Sequence, residues 1–268
     1  MLKINLSKQF KFINIFIKNN QENIYLTLAE FVVLFMRFGV PVILYSYVFR
    51  LNGGSVNGLT LQAAVWSMFF YFPLLALRLR EIPRNIERDI RTGNMEMFIN
   101  KPINYIFYKI LEQVGTGFTA FLGTIILGSF CLYLFVGLAD SMKNELFVVS
   151  IIITTITAIV LNALVYSILG ILAFYMEDIS SVYRIIDKIN MVLGGAYLPV
   201  YLFPQIIRNL AIYSPFGAMF FVSHTVYDYW KTDYIKLLSI QVFYIFLLSI
   251  VLTTMYRLSL RKLSVNGG

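Results

Sequence analysis

The 268-residue chain has one cysteine, one histidine and few charges, with charged types making up only 13%. Cys131, alone in an apolar run, excludes a disulfide framework within the chain. His224 has no second histidine or cysteine beside it for a metal site, so it is expected to be a polar interfacial residue. The sequence holds no H-E-x-x-H motif and no nucleophile–base pattern that commits to catalysis. It also lacks the G-x-x-x-x-G-K-[ST] loop that cradles phosphate. Either ATP binds on another polypeptide, or the protein does not use ATP.

The shortage of charge also excludes an ordinary soluble domain, in which about 25% of residues are charged. Hydrophobic types reach 59% and mean hydropathy is +0.74. They are gathered in blocks near the roughly 20 residues that a membrane-crossing helix needs. The blocks predict six spans, at about 28–49, 61–79, 105–136, 146–175, 185–201 and 237–256, within a single all-α integral membrane domain covering 1–268. The third block is too long for one straight span, so part of it is expected to tilt or lie at an interface. The fifth is interrupted by Gly194, Gly195 and Pro199, and the stretch from Phe203 to Tyr234 is punctuated by Pro204, Pro215 and Gly217. Backbone groups freed by such breaks survive at membrane depth only where protein or water meets them. Short interfacial or re-entrant helices are therefore expected before the last span.

The formal charge of +8 reads here as topology and contact with anionic lipid, not as nucleic-acid binding. Lys3, Lys8, Lys11 and Lys18 precede span one. Arg78, Arg80, Arg84, Arg88, Arg91 and Lys101 separate spans two and three. Arg184 and Lys188 separate four and five, and Arg257, Arg261 and Lys262 follow six. Six spans put all of these on one side, which the positive-inside rule assigns to the cytoplasm together with both termini. Lys11, Lys18, Asn19, Asn20 and Glu22 break the first apolar stretch, so insertion through a retained first span is expected in place of a cleaved signal. Phe10, Ile13 and Ile17 recur at helical spacing among lysines, which fits an amphipathic helix on the cytoplasmic membrane surface, with a frayed basic tail as the alternative.

Between spans two and three, Ile82, Ile86 and Ile90 form an apolar stripe at a spacing of four. Arg84, Glu87, Arg88, Asp89 and Arg91 share this segment, with Pro83 suited to its first turn and Gly93 to its end. Such a helix could dock a cytoplasmic partner through its polar face, or be an ordinary basic loop. Inside span one, Arg37 either snorkels, pairs with Glu112 near the start of span three, or lines a substrate path. Asn162 and the Thr154, Thr155 and Thr157 group are expected to bond across helices or to their own backbone.

These elements, in this order, resemble the permease subunit of bacterial ABC-2 type exporters. The resemblance rests on Ile90-Arg91-Thr92-Gly93-Asn94 followed by Ile99-Asn100-Lys101-Pro102, and on Gly194-Gly195 with Pro199, Pro204 and Ser214-Pro215-Phe216 before the last span. It implies that Glu81–Asn94 is a coupling helix, with Arg84, Glu87, Arg88, Asp89, Arg91 and Gly93 facing the ATPase. It implies that Phe203–His224 forms outer re-entrant helices, with Gly194, Gly195, Pro199, Pro204 and Pro215 at the gate. Two permease chains, identical or related, would work with two separate ATPase subunits that hold ATP and Mg, so this chain would bind no cofactor. The expected activity is export of a hydrophobic or amphiphilic compound across a bacterial cytoplasmic membrane. The alternative is an ATP-independent channel, scramblase or secondary transporter, and a membrane-embedded enzyme ranks last.

Overall fold

The computed structural model describes the backbone of residues 13–18, 24–95, 104–176 and 178–266. Side chains are described over the same stretches except 24–35, 37–38 and 262–266. Lys3, Lys8, Phe10, Lys11, Glu22 and the Ile99–Pro102 motif therefore lie outside the described residues, as do the side chains of Glu30, Arg37 and Lys262.

The first described helix, α1 (residues 13–18), rests on the base of a long helix further along the chain. Its Phe16 ring meets Tyr108 edge-on, with centroids 5.9 Å apart, and packs where Gly115 has no side chain. Helix α2 (Ile24–Leu51) contains the first predicted span and carries Pro41 in its interior. It ends in a feature outside the all-α expectation. Ser55–Val56 (β1) pairs antiparallel with Leu59–Thr60 (β2) around Asn57 and Gly58, which both have positive φ. Asn-Gly is the preferred pair for such a two-residue turn, because both central residues need left-handed backbone.

The second predicted span is two short helices, α3 (Leu61–Phe69) and α4 (Tyr71–Ala76). Arg78, at φ 54°, then turns the chain into a 3₁₀ turn (Leu79–Glu81) and α5 (Ile82–Arg91). The axis bends by 46° between these two pieces. The third block is one unbroken helix, α6 (Tyr105–Phe135). Its 31 residues extend about 46 Å at 1.5 Å per residue, which fits the expectation of a tilted or overhanging span. Helix α7 (Glu145–Ile171) follows the fourth predicted span closely and continues in a 3₁₀ turn (Leu172–Phe174).

The fifth block differs most from its predicted limits of 185–201. It is a 14-residue helix, α8 (Ser180–Leu193), that stops at Gly194. Gly195 has φ +76°, and Pro199 leads into a 3₁₀ turn (Val200–Leu202). Fourteen residues rise about 21 Å, less than the roughly 30 Å hydrocarbon core. Short helices follow, α9 (Gln205–Tyr213) and α10 (Pro215–Ala218), then a 3₁₀ run (Phe221–Val226). Helix α11 (Trp230–Asn266) encloses the sixth predicted span. Among the described residues, three helices are long and apolar enough to cross a membrane, or four if the bent pair counts as one span.

Helix α7 is the hub. Its Asn162 amide donates to Met219 O at 3.1 Å, and its Thr157 hydroxyl donates to Gln241 Oε1 at 2.6 Å. Gln241 Nε2 donates onward to Ala218 O at 2.9 Å, tying α11 to α10. Thr154 bonds back to Ser150 O within its own helix. Two apolar clusters flank these bonds. One gathers Trp66, Phe69, Phe221, Tyr227 and Trp230, and the other gathers Ile82, Ile86, Tyr105 and Ile171. Ile126, Phe130, Phe135, Val242, Phe243 and Phe246 instead point outward on α6 and α11. A water-facing surface would hide such side chains, whereas lipid accepts them.

Candidate functional site

The amphipathic stretch is helical where the isoleucine spacing places it. Ile82 and Ile86 are fully buried, and Ile86 fills the notch left by Gly170 on α7. Pro83 lies in the first turn. At the other end Thr92 N donates to Arg88 O at 3.0 Å, Gly93 N to Ile90 O at 3.2 Å and Met95 N to Asp89 O at 3.3 Å. Gly93 has φ +71°, the left-handed conformation that closes a helix and that glycine adopts without a Cβ penalty.

The polar residues divide between two faces. Arg84, Arg88, Arg91 and Gly93 are exposed, whereas Glu87 and Asp89 are buried. On the outer face Arg84 Nη1 pairs with Glu81 Oε2 at 3.2 Å, and its guanidinium lies 4.6 Å from the centre of the Tyr183 ring. Arg88 Nη2 donates to Asn85 Oδ1 at 3.0 Å, and Arg91 Nη2 meets Glu87 Oε1 at 2.7 Å. An open cleft of about 590 Å³ borders this end of α5, lined by Glu87, Ile90, Arg91, Phe174, Tyr175 and Met176.

Asp89 turns inward. Its Oδ2 accepts from Lys109 Nζ at 2.8 Å and from the Tyr105 hydroxyl at 2.8 Å. Lys109 Nζ also reaches Glu112 Oε2 at 3.0 Å. Lys109 and Asp89 side chains are only 6% and 8% exposed, so this pair is screened from water. It joins α5 to the first turns of α6. Glu112, a predicted partner of Arg37, thus has Lys109 as a partner one helical turn away. The Arg37 side chain lies outside the described residues. Lys109 carries the junction and is absent from the sequence-derived site. Its i,i+3 spacing to Glu112 was the available signal.

The punctuating residues before the last long helix have distinct roles. A Cβ on Gly194 would stand 2.5 Å from Phe220 Cδ2, so that glycine permits a close aromatic contact. Gly195 supplies the positive φ. Pro204 and Pro215 stand at the starts of α9 and α10, and Gly217 lets α10 approach the Ala211 backbone.

His224 is not the interfacial residue expected from sequence, being 1% exposed. Phe221 and Tyr227 meet its ring edge-on at 5.1 and 5.6 Å, and Nδ1 is 2.9 Å from the Tyr229 hydroxyl. The Arg208 guanidinium covers the nearly parallel rings of Tyr201 and Tyr229 at 4.8 and 5.6 Å. Burial, with the Arg208 charge adding to it, pushes the imidazole down to about 3. A histidine neutral in the fold takes up a proton on unfolding between its free value near 6.5 and about 3. Its contribution is therefore intact above pH 6.5 and declines as pH falls below that. Thermal midpoints of nanodisc samples between pH 7.5 and 5 are expected to fall with pH, and to fall less steeply in His224→Gln. Parallel slopes for the two proteins would refute the assignment.

A family model described as ABC-2 family transporter protein matches residues 32–267. Among curated proteins none matches the chain.

Proposed function

The chain belongs to the ABC-2 family of transporter proteins, and from that premise we propose that it is the permease half of an ATP-driven exporter. Its apolar helices and its family make it a multi-pass membrane protein and a component of transport. The family carries no ATP-binding domain of its own and works with ABC ATPase partners.

In this reading two permease chains, identical or related, associate with two ATPase subunits that hold ATP and Mg. Six spans, both termini in the cytoplasm and a bacterial cytoplasmic membrane complete the arrangement. The charge asymmetry between loops supports that orientation. The cargo is hydrophobic or amphiphilic, because the path runs beside apolar helices. The broken segment at Gly194, Gly195, Pro199, Pro204 and Pro215 forms the outer gate.

One observation carries the proposal: α5 is buried by its isoleucines, faces outward with Arg84, Arg88 and Arg91, and is bonded through Asp89 to Lys109 on the next long helix. A surface helix built this way passes a push from a cytoplasmic partner into the membrane bundle. ATP binding would close the ATPase dimer, α5 would move with it, and α6 would follow because a buried ion pair resists separation.

The test is co-expression with candidate ABC ATPase subunits, followed by purification in lipid nanodiscs. A co-eluting complex that hydrolyses ATP is expected. A well-folded chain that captures no ATPase would favour an ATP-independent channel, scramblase or secondary transporter.

A further inference from the structure

A helix at a protein surface is normally held by its apolar side chains. Helix α9 departs from that pattern. Its Ile206 and Leu210 are 78% and 55% exposed, and Ala211 is its one buried residue. There the contact is close, because Gly217 of α10 lies against the Ala211 backbone where any Cβ would clash. Ile212 adds a partly buried contact to the larger apolar cluster. Pro204 before the helix and Ser214 after it are both extended, so α9 is a nine-residue rod with non-helical backbone at each end.

The rest of its attachment is two contacts of one kind, made in opposite directions. Arg208 of α9 lays its guanidinium 4.8 Å from the centre of the Tyr201 ring and 5.6 Å from that of Tyr229, the residue before α11. Lys236 of α11 holds its Nζ 5.3 Å from the centre of the Tyr213 ring, at the end of α9. Each helix thus gives a cation to an aromatic ring beside or on the other. The Tyr244 hydroxyl of α11 also donates to Tyr213 O.

The rings that receive Arg208 are fixed. Tyr201 and Tyr229 stack with centroids 6.1 Å apart and planes 16° apart, and Tyr227 lies 5.6 and 5.5 Å from them. The Tyr229 hydroxyl is 2.9 Å from Nδ1 of the buried His224. The receiving side is therefore rigid, and the freedom lies with α9. Elements that move in a working cycle are drawn from those with few buried apolar contacts. In sequence the buried point at Ala211 falls between Arg208 and Tyr213, so it can act as a pivot with a separable contact on either side. We propose that α9 is a strap, closed against α11 by reciprocal clasps at Arg208 and Lys236, that swings about Ala211 when the clasps part.

This deepens the reading of the broken segment as a gate by naming the residues that hold it shut. It rests on that reading only for the claim that the swing accompanies transport.

The test is a pulsed spin-label distance measurement on the full chain in nanodiscs. In a Cys131→Ser background, labels are placed at Asn209→Cys on α9 and Ser239→Cys on α11, both exposed and neither in a clasp. One dominant distance is expected. Arg208→Met should add a longer one and raise its share relative to the first about tenfold, and Lys236→Met about threefold, since the Lys236 contact is exposed and such contacts strengthen with desolvation. Arg208→Lys keeps the charge but not the flat guanidinium, and should fall between Arg208→Met and the parent. A control pair at Ile126→Cys on α6 and Ile156→Cys on α7 should keep its distance in every variant. Unchanged α9–α11 distances in both Met variants overturn the proposal, as does a control pair that broadens equally, because the change is then general loosening. In a complex with an ABC ATPase trapped by ATP and vanadate, the longer distance should appear without any clasp substitution. Persistence of the shorter distance alone would make α9 a static brace and end the swing. A chain that captures no ATPase removes the transport reading, while the comparison in the isolated chain still decides the clasps.

Discussion

Lys109→Met is expected to be among the most damaging single substitutions in the described part of this chain, and much more damaging than Asp89→Asn. Lys109 is the shared cation of two carboxylates, at 2.8 Å from Asp89 and 3.0 Å from Glu112. Methionine fills similar space but leaves Asp89 charged in a site where its side chain is 8% exposed. Breaking a buried pair from one side costs about 3–5 kcal/mol, since the surviving charge keeps its desolvation cost without its counter-ion. Asp89→Asn keeps the shape and a group able to accept from the Tyr105 hydroxyl, while Lys109 retains Glu112. The expected loss there is about 1–2 kcal/mol, nearer that of a hydrogen bond to a charged group. Adding Asp89→Asn to Lys109→Met removes one stranded charge and should recover part of the loss. Thermal midpoints of the four proteins in nanodiscs check this. Equal damage from the two single substitutions would mean that the pair is not the buried tie described above.

The α5 helix was legible because its signals are local. Isoleucines four residues apart mark one face, Pro83 marks the start and Gly93 marks the end, and the structure places each where its chemistry predicts. The same periodicity says nothing about which polar residue lies against a distant helix. Asp89 reads as another charge on the polar side until Lys109, twenty positions later, is folded against it. Lys109 itself reads as a basic residue at the edge of an apolar block. His224 is hidden for a related reason, since a lone histidine in a tyrosine-rich stretch gives no sign that three aromatic rings surround it. Glycine and proline did announce where helices stop, but not that α8 would be only 14 residues long. The Asn57-Gly58 pair is a local turn signal, but the strands it joins are two residues each, too short for an alternating pattern to mark them.

Those two levels of legibility bear on the outer face of α5, whose residues contribute little to the fold. Arg88 is exposed and its described bond is to Asn85, one turn away. Surface interactions of that kind are worth about 0–1 kcal/mol. Arg88→Glu is therefore expected to leave the thermal midpoint of the isolated chain almost unchanged. If α5 is the coupling element, the same reversal places an anion against the acidic surface that its arginines fit, and like charges across an interface cost several kcal/mol. Association with the ATPase should weaken by about a hundredfold or more, and transport-coupled hydrolysis should fall with it. Arg84→Glu should act in the same direction but also disturb the Tyr183 contact, which makes Arg88 the cleaner probe. Glu87 is less suited, being buried against Arg91. A reciprocal acid-to-lysine change on the ATPase that restores hydrolysis to Arg88→Glu would identify the contact as a pair, by the logic of a double-mutant cycle. Coupled hydrolysis that survives reversal at both Arg84 and Arg88 would remove α5 from the drive train, and the Asp89–Lys109 tie would then be a structural brace alone.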